Sequence, residues 1–375
     1  MQKDRLNIGI LTFPTTDSGN IPLSNLIDIL QPISNDIHLV TGNRGYALFK
    51  ENKEIYVYGI KHKTGTNKVT IITNYIYTQI KISYKLLINN KNVNHWFFFL
   101  GGPALLLPML TAKLFRKDVT LVFGGYDVES VNAQSVILSK PIEILVKFNL
   151  TLSNRAILYS PNLIKEWNLE KYKDKICIAH EHFLDFDKFK IKKKFDGRKN
   201  LVGYIGRLSE EKGILNFVKA ISEIIKKRDD LKILIGGDGQ LRDKIEKYLD
   251  KNNLNDKIKL VGWIPHDELP DYLNELELVV LPSYTEGLPN IMLEAMACGA
   301  PVLATPVGAI PDVITDGETG FIMEDNSPAC IAENVVRALE HPDLQRIAEN
   351  ARMQVGREFT YEAAVEKYGA ILEEL

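Results

Sequence analysis

Arg207 and Lys212 lie five residues apart in the run GYIGRLSEEKG (203–213), where a strand-like segment ends at Gly206 and a helical one begins near Gly213. Cations at a strand end beside a helix N-terminus form a site for a diphosphate. The first amides of a helix are unpaired and its dipole favours negative charge. Arginine supplies a planar fork and lysine a movable point charge, a pairing suited to a leaving group that gains negative charge. Taken alone, the two cations also fit a solvated loop. The run is not a Walker loop, because no Gly-Lys-Ser/Thr ending is present.

The most informative run is PSYTEGLPNIMLEAMACG (282–299). Pro289 falls at a first helical position and Gly299 just past a helix end, so the spacing predicts a bounded helix between them. Its early amides, on Asn290 and Ile291, are open to an anion. Asn290 and Glu294 are i, i+4 and share one face of an otherwise apolar helix. A carboxylate in such a helix needs a partner, since burying it unpaired is costly. The vicinal hydroxyls of a ribose would serve, as would a neighbouring loop. The turn GGDG (236–239) lets backbone approach a ligand closely. The run TPVGAIPD (305–312) fits a further wall of the same site or a plain turn.

These residues need a frame. The first half predicts strands over 7–13, 37–40, 55–60, 69–77, 95–100, 119–123, 156–159 and 176–179, with a helix over 22–33. Gly101, Gly102 and Pro103 turn the strand over 95–100 into a further helix. The charged segment FDKFKIKKKFD (186–196) lacks a long apolar face and reads as a linker. Beyond it, strands over 201–205, 231–235, 258–261, 278–281 and 302–304 alternate with helices over 213–228, 241–250, 266–274 and 289–298. That alternation implies a parallel, doubly wound sheet with its ligand site beyond the carboxyl ends of the strands. Two such domains facing across a cleft would suit a reaction between two separately bound substrates. A last helix over 361–375 carries Ala364, Tyr368 and Leu372 at i, i+4, i+8.

Composition bounds the rest. The 375 residues are 45% hydrophobic with three cysteines, which excludes disorder and a disulfide scaffold. Cys177, Cys298 and Cys330 have no CxxC spacing and read as reduced thiols of a cytoplasmic protein. No signal peptide is expected, and the broken apolar run 96–110 is too short to span a bilayer. The net charge of -2 hides an asymmetry: residues 1–195 hold 26 Lys+Arg against 16 Asp+Glu, and the remainder is acidic. The basic half, with the apolar run 96–110 and Lys192, Lys193 and Lys194, suggests peripheral contact with an anionic membrane. Nucleic acid is not an expected partner.

The ordered set GRLSEEKG, GGDG, GWIP, SYTEGLPNIMLEAMACGAPV and TPVGAIPDVI resembles the retaining family 4 glycosyltransferases of GT-B fold, the glycosyl transferases group 1. The resemblance is strongest over 201–322. It implies two Rossmann-like doubly wound α/β domains facing across a cleft. An acceptor domain would span 1–190, with 360–375 crossing back to it, and a nucleotide-sugar domain 191–359. By position, Arg207 and Lys212 would hold the donor diphosphate beside Gly206, and Glu294 the ribose hydroxyls. Glu286 would contact the transferred sugar, with the backbone of Gly287, Leu288 and Asn290 near sugar and phosphate. Gly237, Asp238, Gly239, Trp263 and Ile264 would lie near the nucleoside, and the turn at Gly19 and Asn20 would close over the phosphate.

The sequence departs from the family at several points. Gly124-Gly125-Tyr126-Asp127 stands where many members carry a histidine, so Asp127 or Tyr126 would substitute, or acceptor activation would differ. His180-Glu181-His182 replaces the usual Asn-Gly, and with no third ligand in view no metal is expected. The resemblance implies no cofactor beyond the nucleotide-diphosphate sugar itself. It points to transfer onto a glycan, lipid-linked or other hydroxyl acceptor, in cell-surface polysaccharide or glycolipid synthesis. A GT-B epimerase acting on the nucleotide sugar, or a catalytically silent GT-B partner subunit, are the competing readings. Glycoside hydrolysis by Glu286 and Glu294 is set aside, because the cation-and-glycine site favours a diphosphate leaving group.

Overall fold

Strands buried on both faces need parallel neighbours and helices to cover them. Ile8–Thr12 (β1) and His95–Phe99 (β4) are buried along their whole length. In the computed structural model, which describes residues 5–16, 19–124, 136–198 and 200–374 and all their side chains except those of 136–140, these two strands pair in parallel at the middle of a seven-stranded sheet. Ile37–Gly42 (β2) and Tyr56–Ile60 (β3) extend it on one side. Asp118–Val122 (β5), Arg155–Leu158 (β6) and Ile176–Ile178 (β7) extend it on the other. The order is β3-β2-β1-β4-β5-β6-β7. Helices Asn20–Leu30 (α1), Lys68–Asn89 (α2) and Leu106–Leu114 (α3) are among those that connect the strands.

The second sheet is built from Leu201–Ile205 (β8), Lys232–Gly236 (β9), Ile258–Gly262 (β10), Leu278–Leu281 (β11), Val302–Ala304 (β12) and Phe321–Ile322 (β13). Its order, β10-β9-β8-β11-β12-β13, is parallel throughout. Helix Ile214–Lys227 (α4) buries Ile214, Phe217, Val218, Ile221 and Ile224 on one side, against a core that includes Val202, Ile233, Val280 and Phe321. The shorter helices Leu269–Glu275 (α5) and Asn290–Ala297 (α6) follow β10 and β11. The chain therefore forms two Rossmann-like parallel units. One comprises Met1–His182 with Tyr361–Leu375, the other Phe183–Thr360. The last helix, Tyr361–Glu373 (α7), belongs to the first unit. Within it the Tyr361 hydroxyl donates to Asp28 O at 2.9 Å, and Arg155 pairs with Glu374 at 2.6 Å.

Three expectations are corrected. Residues 69–77, read as a strand for their β-branched side chains, form the first turns of α2. Asn67 and Thr70 cap it reciprocally, and Thr78, Ile82 and Leu86 set its buried face. A crossover is also required there, because β3 and β4 run in the same direction in one sheet. Residues 186–196 are not a free linker. The amides of Lys192 and Lys193 donate to Asn274 Oδ1, and their ammoniums pair with Asp271 and Glu275 at 2.6 and 2.5 Å, which seats the segment on α5. Helix α5 itself begins at Leu269 rather than His266, with Pro270 in its first turn.

The His180-Glu181-His182 run is buried at the carboxyl end of β7. The Tyr159 hydroxyl donates to Glu181 Oε1, while Glu181 Oε2, His182 Nδ1 and the Tyr368 hydroxyl of α7 have no partner among the described residues. Burial pushes the Glu181 carboxyl up to about 7, against the Tyr159 hydrogen bond, which lowers it. Burial pulls His182 down to about 4 and His180 to about 3. A carboxyl raised in the fold supports stability fully below its unfolded value, near 4.5, and that support is lost as pH rises through about 7. The histidines act oppositely, costing stability as pH falls below 6.5. Glu181→Gln is therefore expected to match the parent at pH 5 and to exceed it at pH 8. The gain should be about 3 kcal/mol, visible as a higher Tm in a pH series of thermal melts. Parallel declines of parent and variant would place the alkaline cost elsewhere.

Candidate active site

In an open parallel sheet the ligand crevice lies where the strand order reverses, which in the second unit is between β8 and β11. Lys212 follows β8 and Glu286 follows β11, and the reversal brings them together. Lys212 Nζ donates to Glu286 Oε1 at 2.7 Å and to Oε2 at 2.8 Å. Ser283 Oγ donates to Oε1 at 2.7 Å, and Thr305 Oγ1 fixes the Ser283 carbonyl at 2.6 Å. The Glu286 side chain is only 8% exposed, against 29% for Lys212. An ammonium has three N–H donors, so the pair leaves Lys212 one donor and a path to solvent. Arg207, at the mouth of the same strand, is 68% exposed and only loosely paired with Glu211 at 3.6 Å. The Tyr204 hydroxyl donates to its carbonyl at 2.7 Å, fixing the backbone while the guanidinium stays exposed. Burial raises Glu211, but hydrogen bonds from Ser209 and its own loop, with the charges of Arg207 and Lys212, bring it below the usual carboxylate range.

Glu294 lies inside α6 and is nearly buried, as its apolar helix requires. Its partner is His266: Nε2 lies 2.9 Å from Glu294 Oε1. The other ring nitrogen, Nδ1, faces Lys188 Nζ at 2.9 Å, and Lys188 also holds Asp267 at 2.6 Å. A lysine only donates, so Nδ1 accepts, and Nε2 then carries the proton given to Glu294. Glu294 is thus oriented through Oε1. The first turn of α6 has no side-chain cap, and Asn290, its first residue, is exposed.

Glycines let these loops pack. Gly213 has φ +65°, and a Cβ there would lie 1.8 Å from the Pro282 carbonyl. Gly237 has φ +126°, and its Cβ would lie 1.9 Å from Gly206 O. The turn at 236–239 is stitched to the β8 loop, with the Leu208 amide on Asp238 O at 2.9 Å and the Asp238 carboxylate on the Gly239 amide at 2.7 Å. Ile264 packs over Gly236, whereas the Trp263 ring is 76% exposed. Leu288 is buried. The loop 305–312 joins the same wall: the Ala309 amide donates to Gly287 O at 2.8 Å, and Gly308 abuts the Glu286 carbonyl.

In the first unit, Gly19 starts α1 after the β1 loop and is buried beside Thr15 and Leu100, and the neighbouring Asn20 Oδ1 has no partner among the described residues. Asp127 and Tyr126 lie outside the described residues. Sequence reasoning missed Ser283, His266 and Lys188. A serine three residues before Glu286 was a readable signal, but the histidine and lysine meet Glu294 only through the fold. Among the described residues no group of three His, Cys, Asp or Glu gathers as a metal site.

Comparison with known proteins fits this architecture. Residues 185–354 match the family model of glycosyl transferases group 1. The chain is 32% identical to alpha-D-kanosaminyltransferase of Streptomyces kanamyceticus over 47% of its length, spanning about half (46%) of that enzyme. It is 24% identical over 92% of both chains to the capsular polysaccharide biosynthesis glycosyltransferase CapM of Staphylococcus aureus. The solved structure of Anabaena Alr3699/HepE in complex with UDP superposes with a TM-score of 0.76 at 16% identity, covering 98% of this chain and all of that one. Residues 185–354, the segment that matches the glycosyl transferases group 1 model, hold the Lys212–Glu286 pair and Glu294, in a chain of GT-B fold.

Proposed function

We propose that the protein is a retaining glycosyltransferase that moves a sugar from a nucleoside-diphosphate sugar to a hydroxyl acceptor, in the synthesis of a cell-surface glycan or glycolipid. The observation that carries this reading is the Lys212–Glu286 pair at the strand-order reversal, with Arg207 beside it. A lysine with one spare donor and an exposed arginine suit the oxygens of a departing diphosphate. Glu286, held by Lys212 and Ser283, would receive hydroxyls of the transferred sugar, and Glu294, oriented by His266, those of the ribose. The loop 236–239 and Trp263 would border the nucleoside. The acceptor would bind the first unit, with Asp127 or Tyr126 as its expected contact.

Front-face displacement fits retention, since it needs no glycosyl-enzyme intermediate. The bond from the anomeric carbon to the phosphate oxygen breaks as the acceptor oxygen bonds on the same face. The acceptor proton passes to the departing phosphate oxygen, and the nucleoside diphosphate leaves with Arg207 and Lys212. The naming of CapM as a capsular polysaccharide biosynthesis glycosyltransferase supports the pathway class.

A panel of nucleotide sugars read by thermal shift tests the donor. One or more should raise Tm, since a ligand bound only by the fold stabilises it by mass action. Glu294→Gln should weaken that binding about tenfold to a hundredfold, because a hydrogen bond to a charged group contributes about 1.5–3 kcal/mol. Failure of every donor to shift Tm would sink the reading. Nucleotide release with an altered free sugar and no acceptor would replace it with the epimerase.

A further inference from the structure

Helix α2 is apolar toward solvent. Ile72, Ile76, Ile80, Tyr84 and Ile88 recur every fourth residue and are 46–60% exposed, and Val69, Tyr77 and Leu87 stand exposed with them. Residues at that spacing share one helical face. Soluble monomers seldom expose a continuous apolar stripe of this length, and such patches mark interaction sites. The helix packs against α3, which exposes Leu110 and Leu114 and leads into exposed Phe115 and Arg116.

The charges around this stripe have one sign. Between Glu54 and Asp118 the sequence has no acidic residue and nine basic ones: Lys61, Lys63, Lys68, Lys81, Lys85 and Lys91 along and around α2, and Lys113, Arg116 and Lys117 at the end of α3. Lys81 lies against the Tyr77 ring, 4.0 Å from its centroid, and donates to Lys61 O. Long basic side chains can lie along apolar surface while their heads reach an interface. No helix of the described residues is long and apolar enough to cross a membrane, so this one would lie on a surface.

We propose that the outer face of α2, continued by the end of α3, is a docking surface for an anionic lipid bilayer. Apolar residues enter the headgroup boundary while the flanking lysines meet the lipid charge. Charge complementarity selects this occupant over a second copy of the chain. A symmetric dimer through this face would set the same lysines against one another, with no carboxylate on α2 to answer them. The surface differs from the one the sequence suggested. Trp96 to Phe99 and Leu105 are buried, and Lys192 and Lys193 are occupied by Asp271 and Glu275. Docking of this kind does not depend on the protein transferring sugar.

The test is co-sedimentation of the full chain with vesicles of phosphatidylcholine, alone or mixed with phosphatidylglycerol. Binding should require phosphatidylglycerol and weaken with salt. Ile76→Gln with Ile80→Gln and Tyr84→Gln should lower partitioning at least tenfold, and Lys68→Glu with Lys85→Glu about thirtyfold. Lys68 is the first residue of α2, where an acid favours the helix, so the charge variant should keep the parent's Tm. Equal binding to both vesicle types, binding to neither, or full binding by these variants would overturn the proposal. So would a concentration-dependent dimer that the isoleucine variants dissolve, which would assign the face to a second copy.

Discussion

Lys212→Ala is expected to lower kcat for sugar transfer about 10²–10³-fold while leaving donor binding measurable. A preorganised charge aimed at a developing anion commonly contributes about 3–4 kcal/mol to the transition state. The substitution removes that charge and also strips Glu286, 8% exposed, of both hydrogen bonds from the ammonium, leaving it only the Ser283 hydroxyl. Lys212 is partly open to solvent, so the stability cost should be modest, about 1–2 kcal/mol. Lys212→Ala combined with Glu286→Gln separates the two effects. The pair should recover Tm, since the uncompensated carboxylate is gone, and remain inactive. Lys212→Arg should fall between, its charge retained but its fork too wide for the same two oxygens. Steady-state kinetics with a donor from the panel, alongside thermal melts, decide the matter. A Lys212→Ala enzyme within threefold of the parent would remove Lys212 from the chemistry.

Gly213→Ala is expected to cost about 3 kcal/mol or more and to abolish transfer. The residue sits at φ +65°, which costs an L-residue about 1–2 kcal/mol, and the added Cβ would start 1.8 Å from the Pro282 carbonyl. That oxygen cannot yield by a rotamer change, because it is a backbone carbonyl just past β11, and it also accepts from Asn326 at 3.1 Å. The backbone must move apart between the β8 and β11 loops, pulling Lys212 away from Glu286. A Tm loss of about 6–12 °C is expected for a unit of this size. Gly356→Ala is the control: it lies in a helix with nothing within 4 Å of its Cβ, and should be neutral or slightly stabilising. Equal melts for the two variants would contradict the close approach at Gly213.

The two halves of the molecule differed in how readable they were. In the second unit every strand from β8 to β12 was legible to within a residue or two, because short apolar runs bounded by glycine and proline alternate with strongly amphipathic helices. Residues 69–77 show the opposite case. Val69, Thr70, Ile71, Ile72, Thr73, Tyr75, Ile76 and Tyr77 have the residue types of a strand, yet most of them face outward from a helix. Most of that apolar surface stays exposed, so a pattern rule that assumes burial misreads it.

The sequence by itself determined the residue types of the site and much of the local geometry around them: the glycines at 213 and 237 and the i, i+4 pair Asn290 and Glu294, though Pro289, read as the first helical residue, is the extended N-cap and α6 begins at Asn290. These depend on short-range sterics and periodicity, which a linear string carries. The basic bias of the first half was also visible there. Only the tertiary structure decided that Lys212 meets Glu286, that His266 and Lys188 orient Glu294, and that the lysines at 192 and 193 are occupied while the face of α2 is open. Those pairings join residues far apart in the chain. They follow from the order in which parallel strands line up, a consequence of whole-domain packing that no local spacing encodes.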